Sequence, residues 1–407
     1  MMDINVIKAE IEKTDRKQAY QSKIKRMQKI MIENGLDGII CFKPQNTFAL
    51  SGFNPVLYSH PVVVVLPADG EPVLLVHCLR ADHSSKESTI EDIRLFGAWA
   101  TYKAIAFDPY DAIKIILEEK KLIGKTIGYE GDFLPVFQFN KLQEIAKPAK
   151  VIDISIMMKQ FTTVKNDYEI NLLRLSSYLT NVGMREAIKN ARKSEAECSM
   201  AAEVAMREAW IKDLGDFEVS SFGNTEGGIP TALWCYALSG FRVPYGAECP
   251  NTRIPQVGEI SLPIVWAAID GYHAEKERSI IIGKLDDEHS RYYDAMLKAR
   301  KAAMEKVRPG VTIGEVYDAA IDEFIKVGLG KMAPGRIGHG MGLSLHDYPS
   351  MDRNSKVVLE KGMVFTIEPS MNFAGWGSIR HSDTVVVTNT GLEILTKDDK
   401  LDDYVVM

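Results

Sequence analysis

The sequence lacks the features that mark secreted, membrane-spanning and disulfide-stabilised proteins. Its longest apolar stretches, residues 62–66 and 264–269, are far shorter than the roughly 20 residues of a membrane helix. The first 18 residues carry charges throughout and contain no apolar core of a secretory signal. The five cysteines are widely spaced and form no CxxC pair, which favours free thiols in a reducing compartment. We therefore expect a cytoplasmic protein without disulfides, a zinc clip or a membrane partner.

The sequence also lacks an excess of positive charge. Lys and Arg number 49 against 55 Asp and Glu, which gives a net charge of −6 and argues against a phosphate-binding surface. Hydrophobic residues make up 46% and charged residues 26%, a balance typical of globular proteins. The composition therefore excludes disordered and fibrous classes, and we expect no nucleic-acid partner.

A chain of 407 residues suggests two or three domains at roughly 150 residues each. In the first part, short β-rich runs alternate with helical patterns such as 17–35, 109–119 and 135–145, which indicates an α/β domain. A polar segment at 162–166 precedes a long amphipathic pattern at 167–191, and beyond it helices and hairpin-like strands segregate. We predict an α/β domain over residues 1–160 and an α+β domain over residues 161–407.

Two histidines lie in a glycine-rich segment of the second part. His339 is flanked by four glycines within residues 335–342, and His346 follows seven residues later. Glycine allows close backbone approach and positive φ, so a histidine displayed there favours a functional site. The alternative is a glycine-rich connection with an incidental histidine.

Carboxylates mark two further segments. Glu368 ends an apolar strand directly before a proline, and in the strand that begins at residue 271 the side chains of His273, Glu275 and Glu277 share one face. Glu275 and Glu277 would stand roughly 6.6 Å apart. Such a pair can grip a planar cation, bind a metal or share a proton. The alternative is a solvated edge strand with alternating charges.

Taken in order, these segments and the element at residues 380–383 resemble the pita-bread superfamily of methionine aminopeptidase, proline-specific aminopeptidase, prolidase and creatinase. The resemblance covers nearly the whole chain. It implies a pita-bread, catalytic-type α+β domain at the carboxyl terminus, preceded by a smaller α/β domain of the creatinase amino-terminal type. It also implies a homodimer in which the first domain of each subunit completes the partner's site.

The peptidases of this superfamily hold two metal ions with five ligands. The resemblance places three of these ligands at residues that can bind a metal, namely Glu275, His339 and Glu368. It places the other two at Ile264 and Ser382, which cannot replace the family's carboxylates. An isoleucine donates no oxygen, and a serine hydroxyl is a poor substitute for a bridging carboxylate. We therefore expect no metal cofactor, with a single divalent ion at Glu275, His339 and Glu368 as the disfavoured alternative.

Creatinase, a metal-free hydrolase of a small guanidino compound, is the more similar member. Its two guanidinium-binding carboxylates correspond to Glu277 and Glu368, and its glycine-flanked histidine corresponds to His339. The resemblance implies a hydrolase that cleaves a C–N bond of a small cationic guanidino, amidino or amino compound. The remaining substrate-binding residues that we predict are His273, Glu275, Tyr58, His60 and His381.

The general acid and base are expected elsewhere than in creatinase. Its catalytic histidine falls on Ala247 or Glu248 here, so we take Glu248, His339 and His346 as the catalytic candidates. Two alternatives stay open. One is an Xaa-Pro aminopeptidase or prolidase-like peptidase with a degenerate metal site, and the other is a non-catalytic pita-bread binding protein.

Overall fold

The computed structural model describes residues 3–222, 232–246, 248–401 and 404–407. Within these residues the chain forms two compact units. The smaller unit contains residues 14–162 and 222, and the larger unit contains residues 3–13, 163–221 and the described residues from 232 onward. None of the helices in these ranges combines the length and apolar character needed to cross a membrane.

The described residues form helices and strands along the whole chain. Helices α1 to α11 run through Ile4–Lys13, Arg16–Glu33, Pro44–Ser51, Ala81–Glu87, Pro109–Glu119, Val136–Ala146, Ser155–Thr163, Asp167–Lys189, Glu195–Asp213, Asp287–Lys306 and Ile313–Lys326. Strands β1 to β18 run through Gly38–Cys41, Val63–Pro67, Val73–His77, Asp92–Phe96, Thr126–Tyr129, Lys150–Asp153, Leu233–Ser239, Ile260–Ile269, Tyr272–Glu277, Ile280–Ile281, Arg336–Gly340, Asp347–Asp352, Val364–Ile367, Ser370–Phe373, Gly377–Arg380, Ser382–Val387, Leu392–Ile394 and Val405–Val406. The predicted combination of an α/β part and an α+β part is confirmed.

The smaller unit is built on a six-stranded sheet in the order β4-β3-β2-β1-β5-β6. Strands β1, β5 and β6 are parallel, as are β3 and β4. The strands β1 and β2 are buried along their full length, and helix α5 packs Ile113, Ile116 and Leu117 into the core beneath them. Burial on both faces explains why these strands read as short continuous apolar runs.

The larger unit is built on a ten-stranded sheet whose main path is β12-β11-β13-β16-β9-β8-β10-β18. Two of its long helices, α8 and α9, begin with capping boxes at Asn166–Glu169 and Ser194–Glu197, where side chains satisfy the first free N–H groups. Every residue of β8 and β9 is buried. The interpretation of the charged strand β9 as a solvated edge is therefore wrong.

Helix α1 belongs to the larger unit, although the sequence placed residues 1–160 in one domain. Its buried residues are Ile7 and Ile11, and Lys8 Nζ donates to the carbonyl oxygen of Asp213 at 3.3 Å. A short amphipathic helix can add to any exposed apolar surface, so its position in the sequence does not fix its unit.

Two basic residues that point away from the predicted site, Lys276 of β9 and Arg278 directly after it, are paired inside the protein. Arg278 Nη2 lies 3.0 and 2.9 Å from the two carboxylate oxygens of Asp383, and Lys276 Nζ lies 3.8 Å from Asp383 Oδ1. Arg300 also pairs with Asp383. This cluster fixes the back of β9, and with it the side chains of the opposite face.

Candidate active site

Three side chains from different elements converge in the larger unit. Glu275 comes from β9, His339 from β11, and Glu368 from the residue after β13. His339 Nε2 lies 3.6 Å from Glu275 Oε2 and 3.8 Å from Glu368 Oε1. One potential ligand atom from each of the three lies within 4.8 Å of the others, and all three residues are buried. The sheet thus assembles two carboxylates and an imidazole around one point.

The orientation of His339 is set by the backbone. Its Nδ1 lies 3.1 Å from the carbonyl oxygen of Gly340, which can only accept, so Nδ1 carries the proton. The lone pair of Nε2 then faces the two carboxylates, the arrangement in which histidine ligates a metal. Close approach of β11 to its neighbour requires Gly338, whose φ is +149° and where a Cβ would lie 2.0 Å from the Thr366 carbonyl oxygen.

Glu275 is held by two buried donors. Its Oε2 accepts the indole N–H of Trp266 at 2.6 Å, and its Oε1 accepts the hydroxyl of Ser382 at 2.8 Å. Sequence reasoning missed Trp266. It lies opposite Glu275 in the antiparallel pairing of β8 and β9, a register that the pattern within either strand does not contain.

The second carboxylate of β9 already has a cationic partner. The guanidinium of Arg380 pairs with Glu277, whose side chain is buried, while that of Arg380 is 23% exposed. Burial raises the pKa of Glu277 well above its ordinary value, although Arg380 opposes the shift. Burial, followed by the charge of Glu275, also raises the pKa of Glu368. The guanidinium of Arg380 is thus paired with Glu277, the carboxylate that we predicted to bind the guanidinium of a substrate.

His346 lies beside the cluster. The centroids of the His346 and His339 rings are 4.3 Å apart. Partial burial and the neighbouring His339 lower the pKa of His346 to about 4, so its imidazole is neutral near pH 7. A neutral imidazole can accept a proton or a hydrogen bond at this position.

A cavity of about 580 Å³ opens onto Glu368 and is lined mainly by polar side chains. Two arginines line the cavity, and one of them, Arg380, is paired with Glu277. The other, Arg336, is exposed and forms no ion pair among the described residues. The cavity therefore offers a guanidinium that is free to bind an anionic group.

Two of the predicted substrate-binding histidines have structural partners. The Nε2 of His273 lies 2.8 Å from the hydroxyl of Ser221, and its Nδ1 lies 2.9 Å from a backbone carbonyl oxygen. Burial lowers the pKa of His273. His381 is fully buried, and its ring contacts the N–H of Ser279 and the hydroxyl of Tyr293 at 3.2 and 3.1 Å. Both rings therefore support the core beside the cluster.

The remaining candidates are Glu248, Tyr58 and His60. None of their contacts among the described residues is with Glu275, His339 or Glu368. Glu248 is exposed, and its Oε1 accepts the N–H of the next residue at 2.9 Å. Ala247, the other position implied for the general base, lies outside the described residues. Tyr58 and His60 belong to the smaller unit, where Tyr58 is buried and His60 stacks on His77 at 3.9 Å.

The donor set fits one metal ion and not two. Ile264, which is 3% exposed, contributes an alkyl group, and the hydroxyl of Ser382 is committed to Glu275. The three remaining ligand atoms are 3.6 to 3.8 Å apart along the two measured edges. Ligands about 2.1 Å from a common tetrahedral ion have separations of roughly this size.

Comparisons with known proteins relate both parts of the chain to described families. The model of metallopeptidase family M24 matches residues 171–389, and the model of the creatinase/prolidase N-terminal domain matches residues 23–161. The putative dipeptidase YkvY of Bacillus subtilis is 25% identical over 92% of this chain and 98% of its own length. The Xaa-Pro dipeptidase of Pyrococcus furiosus is 25% identical over 93% of this chain and 99% of its own.

Solved structures share the fold over most of the chain. The Xaa-Pro dipeptidase from Bacillus anthracis has a TM-score of 0.80 at 22% identity and covers 95% of this chain and 100% of its own. The N-terminal domain of the FACT complex subunit SPT16 from chickpea has a TM-score of 0.70 at 16% identity, with coverages of 94% and 96%. The predicted pita-bread architecture is confirmed.

The expectation of no metal cofactor is wrong. The family model that matches describes metallopeptidases, and Glu275, His339 and Glu368 form a compact group of metal-binding donors. Two ligands of a two-ion set are missing from the sequence, but the three that remain are enough to hold one ion. They converge on one point because β9, β11 and β13 belong to the same sheet.

Proposed function

Because the chain belongs to metallopeptidase family M24, we propose that it is a peptidase that hydrolyses Xaa-Pro dipeptides with a single divalent metal ion. That it is a hydrolase acting on C–N bonds follows from the family. The finer proposal is supported by one observation above all, the convergence of Glu275, His339 and Glu368. The names of its relatives, two of which are Xaa-Pro dipeptidases, support the substrate class.

Glu275, His339 and Glu368 would hold the ion, and a site with three protein ligands leaves room for water and substrate. When bound, a divalent ion supplies Lewis acidity, which polarises a carbonyl oxygen and lowers the pKa of water. The protein contributes ligand orientation, through the Gly340 carbonyl at His339 and the two donors at Glu275.

Two further side chains, Arg336 in the cavity and His346 beside His339, suit a small peptide. Arg336 lines the same cavity as Glu368 and has no carboxylate partner among the described residues, so it can bind the free carboxylate of a dipeptide. His346 is neutral near pH 7 and lies beside His339, where it can accept a proton or orient a polar group of the substrate. Together they would supply an anion site and a proton acceptor for a small peptide substrate.

A creatinase-like function is less well supported, because the carboxylate of Glu277 is already paired with the guanidinium of Arg380 and is not open to a substrate cation. A homodimer whose amino-terminal domain completes the partner's site stays a prediction.

A substrate panel tests the proposal. Protein supplied with Mn²⁺, Co²⁺ or Zn²⁺ is assayed on Xaa-Pro dipeptides, on dipeptides without proline, and on small guanidino and amidino compounds. We expect turnover of the Xaa-Pro dipeptides that a chelator abolishes. Glu368→Gln should lower kcat/KM at least about 100-fold, because losing a ligand costs no less than losing a residue that supports one.

The matched control is Glu305→Gln, which changes an exposed glutamate of helix α10 paired with Lys301 at 3.8 Å. It should leave kcat/KM unchanged. Turnover of guanidino or amidino compounds in place of peptides would overturn the proposal. Absence of turnover on every compound by protein that carries its ion would favour a binding protein.

A further inference from the structure

Two uncharged donors, the indole N–H of Trp266 and the hydroxyl of Ser382, hold the carboxylate of Glu275. Glu275 is 1% exposed, and its two hydrogen-bond donors, Trp266 and Ser382, are also buried. Each donor takes a different oxygen, at 2.6 Å from the indole and 2.8 Å from the hydroxyl. A buried carboxylate needs donors or cations to replace its lost hydration, and these two supply part of that need.

The strands beside β9 add no further anionic ligand next to this carboxylate. In the pairing of β8 with β9, Ile264 lies opposite Glu277 and Trp266 opposite Glu275. In the pairing of β16 with β9, Ser382 lies opposite Glu277. Among the described residues, the one group of three that could hold a metal ion is therefore Glu275, His339 and Glu368.

We propose that the indole N–H of Trp266 and the hydroxyl of Ser382 stabilise the carboxylate of Glu275 in place of a second metal ion. The centre then takes one ion, and Trp266 positions Glu275 as a ligand of that ion. The inference rests on the proposed function, since it concerns the ion of that site. A carboxylate offers about four acceptor positions, and two donors leave positions free on the side of His339. The donors thus restrict where a cation can approach Glu275.

The indole is held firmly enough for this role. Its ring centroid lies 5.6 Å from that of Trp234 and 5.4 Å from that of Tyr236, and both of these residues come from the adjacent strand β7. Aromatic neighbours on one strand fix the rotamer of a residue on the next. Because its N–H contacts a metal ligand directly, Trp266 should also report the arrival of an ion through its fluorescence.

The experiment is a titration of metal-depleted full-length protein with Co²⁺ and Mn²⁺, followed by calorimetry and by tryptophan fluorescence. We expect one ion per chain and a fluorescence change on binding. Trp266→Phe should still bind one ion, lose most of the fluorescence change and bind about 10-fold more weakly, as expected when a residue that supports a ligand is removed. Trp210→Phe, which removes an indole whose N–H donates to the Phe217 carbonyl oxygen at 2.9 Å, is the matched control and should keep both the affinity and most of the change.

Ser382→Ala provides a second variant that does not alter the aromatic packing, and it should weaken ion binding by a similar factor of about 10. Two ions per wild-type chain would overturn the inference while leaving the proposed peptidase intact. Unchanged affinity in both Trp266→Phe and Ser382→Ala would do the same. Failure of the wild-type protein to bind any ion would overturn the proposed function and the inference together.

Discussion

The substitution Asp383→Asn should destabilise the larger unit strongly. The carboxylate of Asp383 is fully buried and contacts Arg278 at 3.0 and 2.9 Å, Arg300, and Lys276 at 3.8 Å. Asparagine has nearly the same shape but no charge. The substitution therefore leaves three buried basic side chains without their anion and creates no cavity.

The magnitude follows from the loss of one partner of a buried ion pair, which costs about 3 to 5 kcal/mol. In a unit of about 150 to 250 residues, each kcal/mol lowers the melting temperature by roughly 2 to 4 °C. We therefore expect the melting temperature of the larger unit to fall by about 6 to 20 °C. Since Lys276 and Arg278 flank Glu277, and Lys276 also follows Glu275 directly, ion binding at the site should weaken as well.

Differential scanning calorimetry of the wild type and the variant measures this change. The matched control is Asp318→Asn, which removes an exposed carboxylate 3.3 Å from Arg353. An exposed pair contributes about 1 kcal/mol or less, so the control should melt close to the wild type. If Asp383→Asn also melts close to the wild type, the idea that this cluster fixes strand β9 is refuted.

The same carboxylate predicts a response to acid. Burial alone would raise the pKa of Asp383, but Arg278 and Arg300 hold it well below its ordinary value. A lowered folded pKa means that the stabilisation is complete above the unfolded value of about 3.9 and is lost as the pH falls through the folded value. The free energy of unfolding should therefore fall in strong acid for the wild type, and this contribution should be missing in Asp383→Asn.

Two further predictions concern Arg336, which lines the cavity, and His346, which lies beside His339. Arg336→Gln should raise KM for an Xaa-Pro dipeptide roughly 10- to 100-fold and leave KM for the dipeptide amide unchanged, because only the free carboxylate loses a charged hydrogen bond. Arg353→Gln is the control and should leave both KM values unchanged. An equal rise in KM for both substrates in Arg336→Gln would contradict the carboxylate site. The ring of His346 should titrate at about 4 in an NMR experiment, whereas a midpoint near the ordinary 6.5 would show that its surroundings do not disfavour the charged form.

Much of the fold was predictable from local patterns. The spacing of apolar residues gave helix α5 at Pro109–Glu119 and the start of α8 at Asp167, where Asn166 and Glu169 form the cap. Helix α3 at Pro44–Ser51 was missed, because all of its residues except Gln45 are buried and no exposed face reveals its period.

The candidate site was predictable where it depends on one strand, and less so where it depends on several. Alternation along β9 placed Glu275 and Glu277 on one face, and the glycines pointed to His339. The pairing of Arg380 with Glu277 and of Trp266 with Glu275 requires the register between β9 and its neighbours. Register is set by contacts between distant segments, which the pattern within one segment does not contain.

The requirement for a metal ion can be measured directly with full-length protein that has been stripped of metal. Its rate on an Xaa-Pro dipeptide is determined before and after addition of one ion per chain, and in parallel for Glu368→Gln. We expect no turnover without the ion, recovery at one ion per chain, and little recovery in the variant. Full turnover by the metal-free protein would contradict the assignment of Glu275, His339 and Glu368 as a metal centre.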